Sequence, residues 1–107
     1  MEFKELEGFS DEVVKLLSDS EYYALQLELL TEPEKGKLIK ETGGARKIRV
    51  AMQGRGKSGG ARVVYYYQFS DVIHFLLIYP KNEQENLTPN QTKWVRRMVE
   101  DIKEGKL

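Results

Sequence analysis

The chain has 107 residues, 40% hydrophobic and 10% aromatic, which suits one modest core and a single domain spanning residues 1–107. It contains no cysteine and one histidine, which excludes a disulfide framework, a zinc finger and catalysis by a cysteine nucleophile or a histidine pair. The formal net charge is zero, yet residues 1–34 hold ten acidic and two basic side chains, residues 35–62 one and nine, and residues 63–107 six and six. The blocks therefore carry −8, +8 and 0. Blocks of one sign create a local field even where the total cancels, so the middle third is the place to look for an anion site.

No metal and no organic cofactor is expected from these residues. The chain has no apolar run near the roughly 20 residues that span a bilayer, and MEFKELEGFS lacks a basic-then-apolar leader pattern. A cytoplasmic, membrane-free protein is the expectation.

A short strand is expected around residues 2–6, where Phe3 and Leu6 are apolar. Ser10, followed by Asp11 and Glu12, reads as the N-cap of a helix with an apolar face of Val13, Val14, Leu16 and Leu17. Ser18 and Ser20 can restart the helix. Tyr23, Leu27 and Leu30 then stand at i, i+4 and i+7, and Pro33 closes the segment. The first third is a helical hairpin.

Beyond Gly43 and Gly44 the period switches to two, with Ile48, Val50 and Met52 on one side and Lys47, Arg49 and Ala51 on the other. A second strand over residues 62–69 is β-branched and aromatic, and a loop with glycines at 54, 56, 59 and 60 joins the two. After a tight turn at Ser70 and Asp71, residues 72–79 are apolar on both parities apart from His74, as in a central strand covered on both faces. Thr88, Pro89 and Gln91 form a capping box with proline at the first helical position. The helix that follows has the apolar stripe Trp94, Val95, Met98, Val99 and Ile102. The fold class is α+β: a small, antiparallel-rich sheet with an N-terminal helical hairpin and a C-terminal helix.

The octet from Ala51 to Ser58, AMQGRGKS, has the outline of a phosphate loop with alanine for the first glycine. Such a loop needs a helix directly after its lysine, whereas Gly59 and Gly60 here lead into a strand, so the nucleotide-cradle reading fails. As a hairpin tip, the same residues present Arg55, Lys57 and Arg62 with little bulk between them. Lys47 and Arg49 share a strand face, and Lys81 closes the adjacent strand. One or two cations on a strand usually mark its wet face; this many on one hairpin suit a polyanion.

Cleavage of an RNA phosphodiester requires deprotonation of the 2′-OH, protonation of the leaving 5′-oxygen and neutralisation of the pentacoordinate phosphate. Cations supply the last, and a lysine among other cations loses its proton more readily than a free one. Glu83, two residues past Lys81, is the nearest carboxylate able to take a proton or orient a lysine. Tyr66 shares parity with Arg62 and Val64, and Tyr79 precedes Pro80 and Lys81; both rings are candidates for base stacking. His74 reads as a packed histidine rather than a catalyst.

With GGAR before it and YPKNE after it, KIRVAMQGRGKSGGARVVYYY resembles the RelE/HigB superfamily of bacterial toxins, in particular the HigB-like branch with a glycine-rich basic loop. The likeness covers about residues 20–102. It implies a RelE-like fold and metal-independent cleavage of mRNA on the translating ribosome, with a 2′,3′-cyclic phosphate as product. It further implies that Lys47 and Arg49 bind phosphate, Lys57 sits in the active-site loop, Arg62 stabilises the transition state and Lys81 completes the site. Arg46 and Arg55 are then contacts to ribosomal or substrate RNA. The implied partner is a co-encoded, HigA-like helix-turn-helix antitoxin, through which alone the protein would meet DNA, and the toxin gene can come first in the pair. The RelE branch has an arginine and then a tyrosine after its last central strand, whereas this chain has Asn82 and, further on, Leu87. The general base is thus unassigned, and the same departure allows an alternative: a non-catalytic RNA-, ribosome- or protein-binding module of the same fold. A third reading is a structural protein whose basic face docks an acidic partner.

Overall fold

A computed structural model describes residues 1–53, 59–69 and 71–107. In chain order the elements are β1 (Glu2–Glu5), α1 (Glu7–Leu16), α2 (Asp19–Thr31), β2 (Lys37–Leu38), β3 (Arg46–Val50), β4 (Ala61–Gln68), β5 (Val72–Pro80) and α3 (Pro89–Lys103). The strands form one mixed sheet in the order β1-β5-β4-β3-β2, with β1 parallel to β5 and the other pairs antiparallel. The α+β class and the three-helix layout expected from the sequence are present. No helix among the described residues is long and apolar enough to cross a membrane.

The sheet is buried on both sides. On one side α1 and α2 pack over Ile48, Val50, Val63, Tyr65, Ile73 and Phe75, with Phe9, Val13, Leu25 and Leu29 supplied by the helices. Phe75 is the centre of this layer: Phe3 and Phe9 stack on it with ring centroids 5.7 and 5.0 Å away, and Tyr22 meets it edge-on at 5.7 Å. On the other side α3 lays Val95, Val99 and Ile102 over Val64, Leu76 and Tyr79. Thr88 and Gln91 form the expected reciprocal capping box, and Pro89 takes the first turn.

Two local expectations are corrected. Helix α1 starts at Glu7 with Leu6 at the cap, so Ser10 lies inside it, its hydroxyl donating to Glu5 Oε1 and Leu6 O. Ser18 restarts the chain as a helix as expected, closing a full capping box with Glu21 on α2. On α2 itself the expected inward stripe faces outward: Tyr23, Leu27 and Leu30 are exposed, while Tyr22, Leu25 and Leu29 turn to the sheet. The helix is apolar on two sides, and the aromatic contacts of Tyr22 with Phe9 and Phe75 decide between them.

Strand β5 also departs from simple alternation. Opposite the Val64–Tyr65 step its register slips by one residue: Val64 pairs with Leu77, while Tyr65 pairs with Phe75. This bulge turns both Leu76 and Leu77 towards α3 and sends Ile78 to the helical-hairpin side. His74 is packed as expected, buried on the α3 side with its ring stacked on Tyr66 and Nε2 bonded to Gln68 Oε1 at 2.9 Å.

Candidate functional site

The β3–β4 register sets Lys47 opposite Val64 and Arg49 opposite Arg62, all on the face that α3 covers. Helix α3 shields Val64 and Tyr66 but leaves the Arg49 end of the hairpin open. On one side of this end, β2 adds Lys37 directly across from Lys47, and on the other, β5 adds Tyr79 directly across from Arg62. The result is a row, Arg49–Arg62–Tyr79, with the Lys37–Lys47 pair alongside it. Lys35, Gly36, Lys37, Lys47, Ile48, Arg49 and Arg62 line a groove of about 400 Å³ there.

Two features of this groove are costly to the fold on its own. Like charges placed directly opposite on neighbouring strands, as Arg49 and Arg62 are, repel. Moreover, Arg62 Nε and Tyr79 Oη are both buried without a hydrogen-bond partner among the described residues. Buried donors normally find an acceptor, and an anion held between the cations would supply it. Lys47 feels the same crowding. Burial pushes its ammonium below the ordinary lysine range, and the charges of Arg62 and Lys37 push it further, against a weaker opposing pull from Glu85. Its Nζ is steered by Asn86, whose Oδ1 accepts from it at 3.2 Å.

The structure sorts the residues expected at the site. Lys47, Arg49 and Arg62 come together in the groove, with Tyr79 facing Arg62. Lys81 follows directly, its main-chain N–H donating to Gly60 O at 2.9 Å and tying the corner to the base of β4. Glu83 sits exposed in the turn after it, its N–H bonded to Pro80 O at 3.2 Å. Arg55 and Lys57 lie outside the described residues, as does Ser70 of the expected β4–β5 turn.

Two expected RNA contacts are placed elsewhere. Arg46 is on the helical-hairpin face, where Nη1 donates to Glu34 O and Gly36 O and Nη2 pairs with the Glu34 carboxylate at 3.2 Å. Tyr66 is four residues along β4 from Arg62, its ring against His74 and with Lys103 Nζ 5.8 Å from its centroid. Conversely, sequence reasoning passed over Lys35, Lys37 and Asn86. A two-residue edge strand gives no periodicity to read, although lysines at 35 and 37 on either side of a glycine were a visible trace of it.

Residues 19–106, from the first turn of α2 to beyond α3, match the family described as the RelE toxin of the RelE / RelB toxin-antitoxin system. The chain belongs to the RelE toxin family. Membership makes it a toxin of a toxin–antitoxin pair, with a cognate antitoxin as its partner. The match takes in every groove residue, whereas β1 and α1, which complete the aromatic layer around Phe75, lie outside it.

Proposed function

We propose that this toxin is a ribosome-dependent mRNA endoribonuclease of the HigB-like kind, cutting by attack of a 2′-OH on the adjacent phosphorus. The observation that supports this most is the unpartnered Arg62 Nε, buried in a groove where Arg49 stands opposite Arg62 and Lys47 alongside. A groove built from repelling cations and an idle donor is organised for a phosphodiester rather than for the protein itself.

In this reading the 2′-oxygen forms a bond to phosphorus while the bond to the 5′-oxygen breaks, leaving a 2′,3′-cyclic phosphate and a free 5′-OH. Arg62 and Arg49 offset the charge that builds on the non-bridging oxygens. Lys47, whose proton is loosened by burial and by the charges of its neighbours, protonates the departing 5′-oxygen. Lys81 completes the far wall, Lys57 and Arg55 add charge from the glycine-rich segment, and Glu83 is the carboxylate closest in sequence to take the 2′-OH proton. The antitoxin is a HigA-like helix-turn-helix protein, and the ribosome supplies the positioned mRNA.

Induced expression in growing cells, with translated transcripts mapped by primer extension, tests the reading. Cleavage by the wild type and its loss in a folded Arg62→Ala variant are the expected results. Harmless expression with intact translated mRNA would sink it, and ribosome binding without cleavage would select the non-catalytic module instead.

A further inference from the structure

We infer that the Tyr79 hydroxyl is a hydrogen-bond donor to phosphate, forming with Arg62 Nε a two-point clamp on a single phosphate group. The inference rests on the ribonuclease reading only for which phosphate is held; the clamp itself is a property of two side chains.

The bulge in β5 creates the pairing. Continued alternation from Phe75 would turn residue 79 to the helical-hairpin core, beside Ile73 and Phe75. The one-residue slip opposite the Val64–Tyr65 step reverses this and sets Tyr79 directly across from Arg62 on the α3 side of the sheet. Cross-strand neighbours have Cβ atoms about 5 Å apart, so the two side chains occupy one locality.

Tyr79 is 6% exposed and packs in the α3 core, a place that phenylalanine would fill equally well. Its hydroxyl is nevertheless buried without a partner among the described residues, as is Arg62 Nε. A guanidinium has no lone pair to offer, so Arg62 cannot accept the phenolic proton. Both strands therefore bring a donor to a site where the described residues provide no acceptor. An oxygen with several free lone pairs and a negative charge satisfies both, and the cations of the groove favour a phosphate over a neutral acceptor. The phenol stays protonated for this role, because burial pushes it above the ordinary tyrosine range more than the Arg62 charge pulls it back. It donates; it does not take the proton from the 2′-OH.

The experiment is a titration of wild type, Tyr79→Phe, Tyr67→Phe and Arg62→Ala with inorganic phosphate, followed by NMR shifts of β4 and β5 amides, with thermal midpoints for each protein. A lost hydrogen bond to a charged group weakens phosphate binding about tenfold or more in Tyr79→Phe. Arg62→Ala should lose at least as much, while Tyr67→Phe, on the opposite face, should match wild type. Because Tyr79→Phe removes a hydroxyl with no partner among the described residues, its thermal midpoint should hold or rise. Equal phosphate affinity in Tyr79→Phe and wild type overturns the clamp, as does an affinity loss that tracks a fall in thermal midpoint, the mark of a structural hydroxyl. In translated-mRNA cleavage, Tyr79→Phe should lower kcat/KM by a similar factor. A phosphate clamp confirmed by titration in a wild type that leaves mRNA intact would uphold this inference and remove the ribonuclease reading.

Discussion

The sheet contains two arginine–tyrosine pairs set directly across from each other on neighbouring strands, and they have opposite characters. Arg46 and Tyr65 face the helical hairpin, and every polar group that matters there is used: Tyr65 Oη donates to Pro33 O at 2.8 Å and accepts from Gly36 N–H at 2.9 Å, while Arg46 holds Glu34 and the Gly36 carbonyl. Arg62 and Tyr79 lie on the α3 side, and their buried Nε and Oη have no hydrogen-bond partner among the described residues. The first pair closes the α2–β2 connection onto the sheet. The second is left unsatisfied at a cost to stability, as expected where binding rather than folding is served.

The contrast can be broken most decisively at Arg62. Arg62→Ala should reduce cleavage of translated mRNA about 10²- to 10³-fold, the range for loss of one donor to a developing oxyanion, while its denaturation midpoint holds or rises. A variant that unfolds would show instead that Arg62 belongs with Arg46 as a structural residue. On the other face, Gly36→Ala should destabilise by about 1–3 kcal/mol or more in urea titration. Its new Cβ would lie 2.7 Å from the Tyr65 ring and hydroxyl and 2.9 Å from the Lys47 carbonyl, where backbone cannot yield cheaply.

Tyr65→Phe sharpens the same contrast from the paired side. It strands the Gly36 N–H and the Pro33 carbonyl, so it should cost about 1–3 kcal/mol of stability and leave the cleavage rate per folded molecule unchanged. Tyr79→Phe is expected to show the reverse pattern, stable but weakened in phosphate binding.

The smallest effect concerns pH. Burial, assisted by Lys4, holds His74 below the ordinary histidine range, so the unfolded chain binds a proton that the folded chain refuses. Stability should therefore fall as pH drops through about 6.5, the unfolded value, and continue falling until the depressed folded value is passed. Denaturant midpoints between pH 7.5 and 5 should show this slope in wild type and a shallower one in His74→Gln. An unchanged slope would mean that His74 is not the group responsible.

The charge blocks acquire a spatial meaning from the same two faces. Helices α1 and α2, which carry most of the −8 segment, pack on the other side of the sheet from Lys47 and Arg62, and Glu28 of α2 reaches the groove's edge, where it pairs with Lys35 at 2.8 Å. The neutral total thus divides largely between two sides.

Much of this was determined by the sequence alone. Strand alternation is a local rule, so Ile48 and Val50 had to part from Lys47 and Arg49, and Thr88, Pro89 and Gln91 announced α3 through short-range capping chemistry. The concentration of nine cations in residues 35–62 was equally plain. What only the tertiary structure decided depended on partners distant in sequence. Which of two apolar stripes on α2 is buried follows from Phe9 and Phe75, and the fate of Arg46 follows from Glu34 and Gly36 docking against β3. The bulge that turns Tyr79 towards Arg62 depends on packing across three layers, since a one-residue slip leaves no mark in composition and reverses every side chain beyond it.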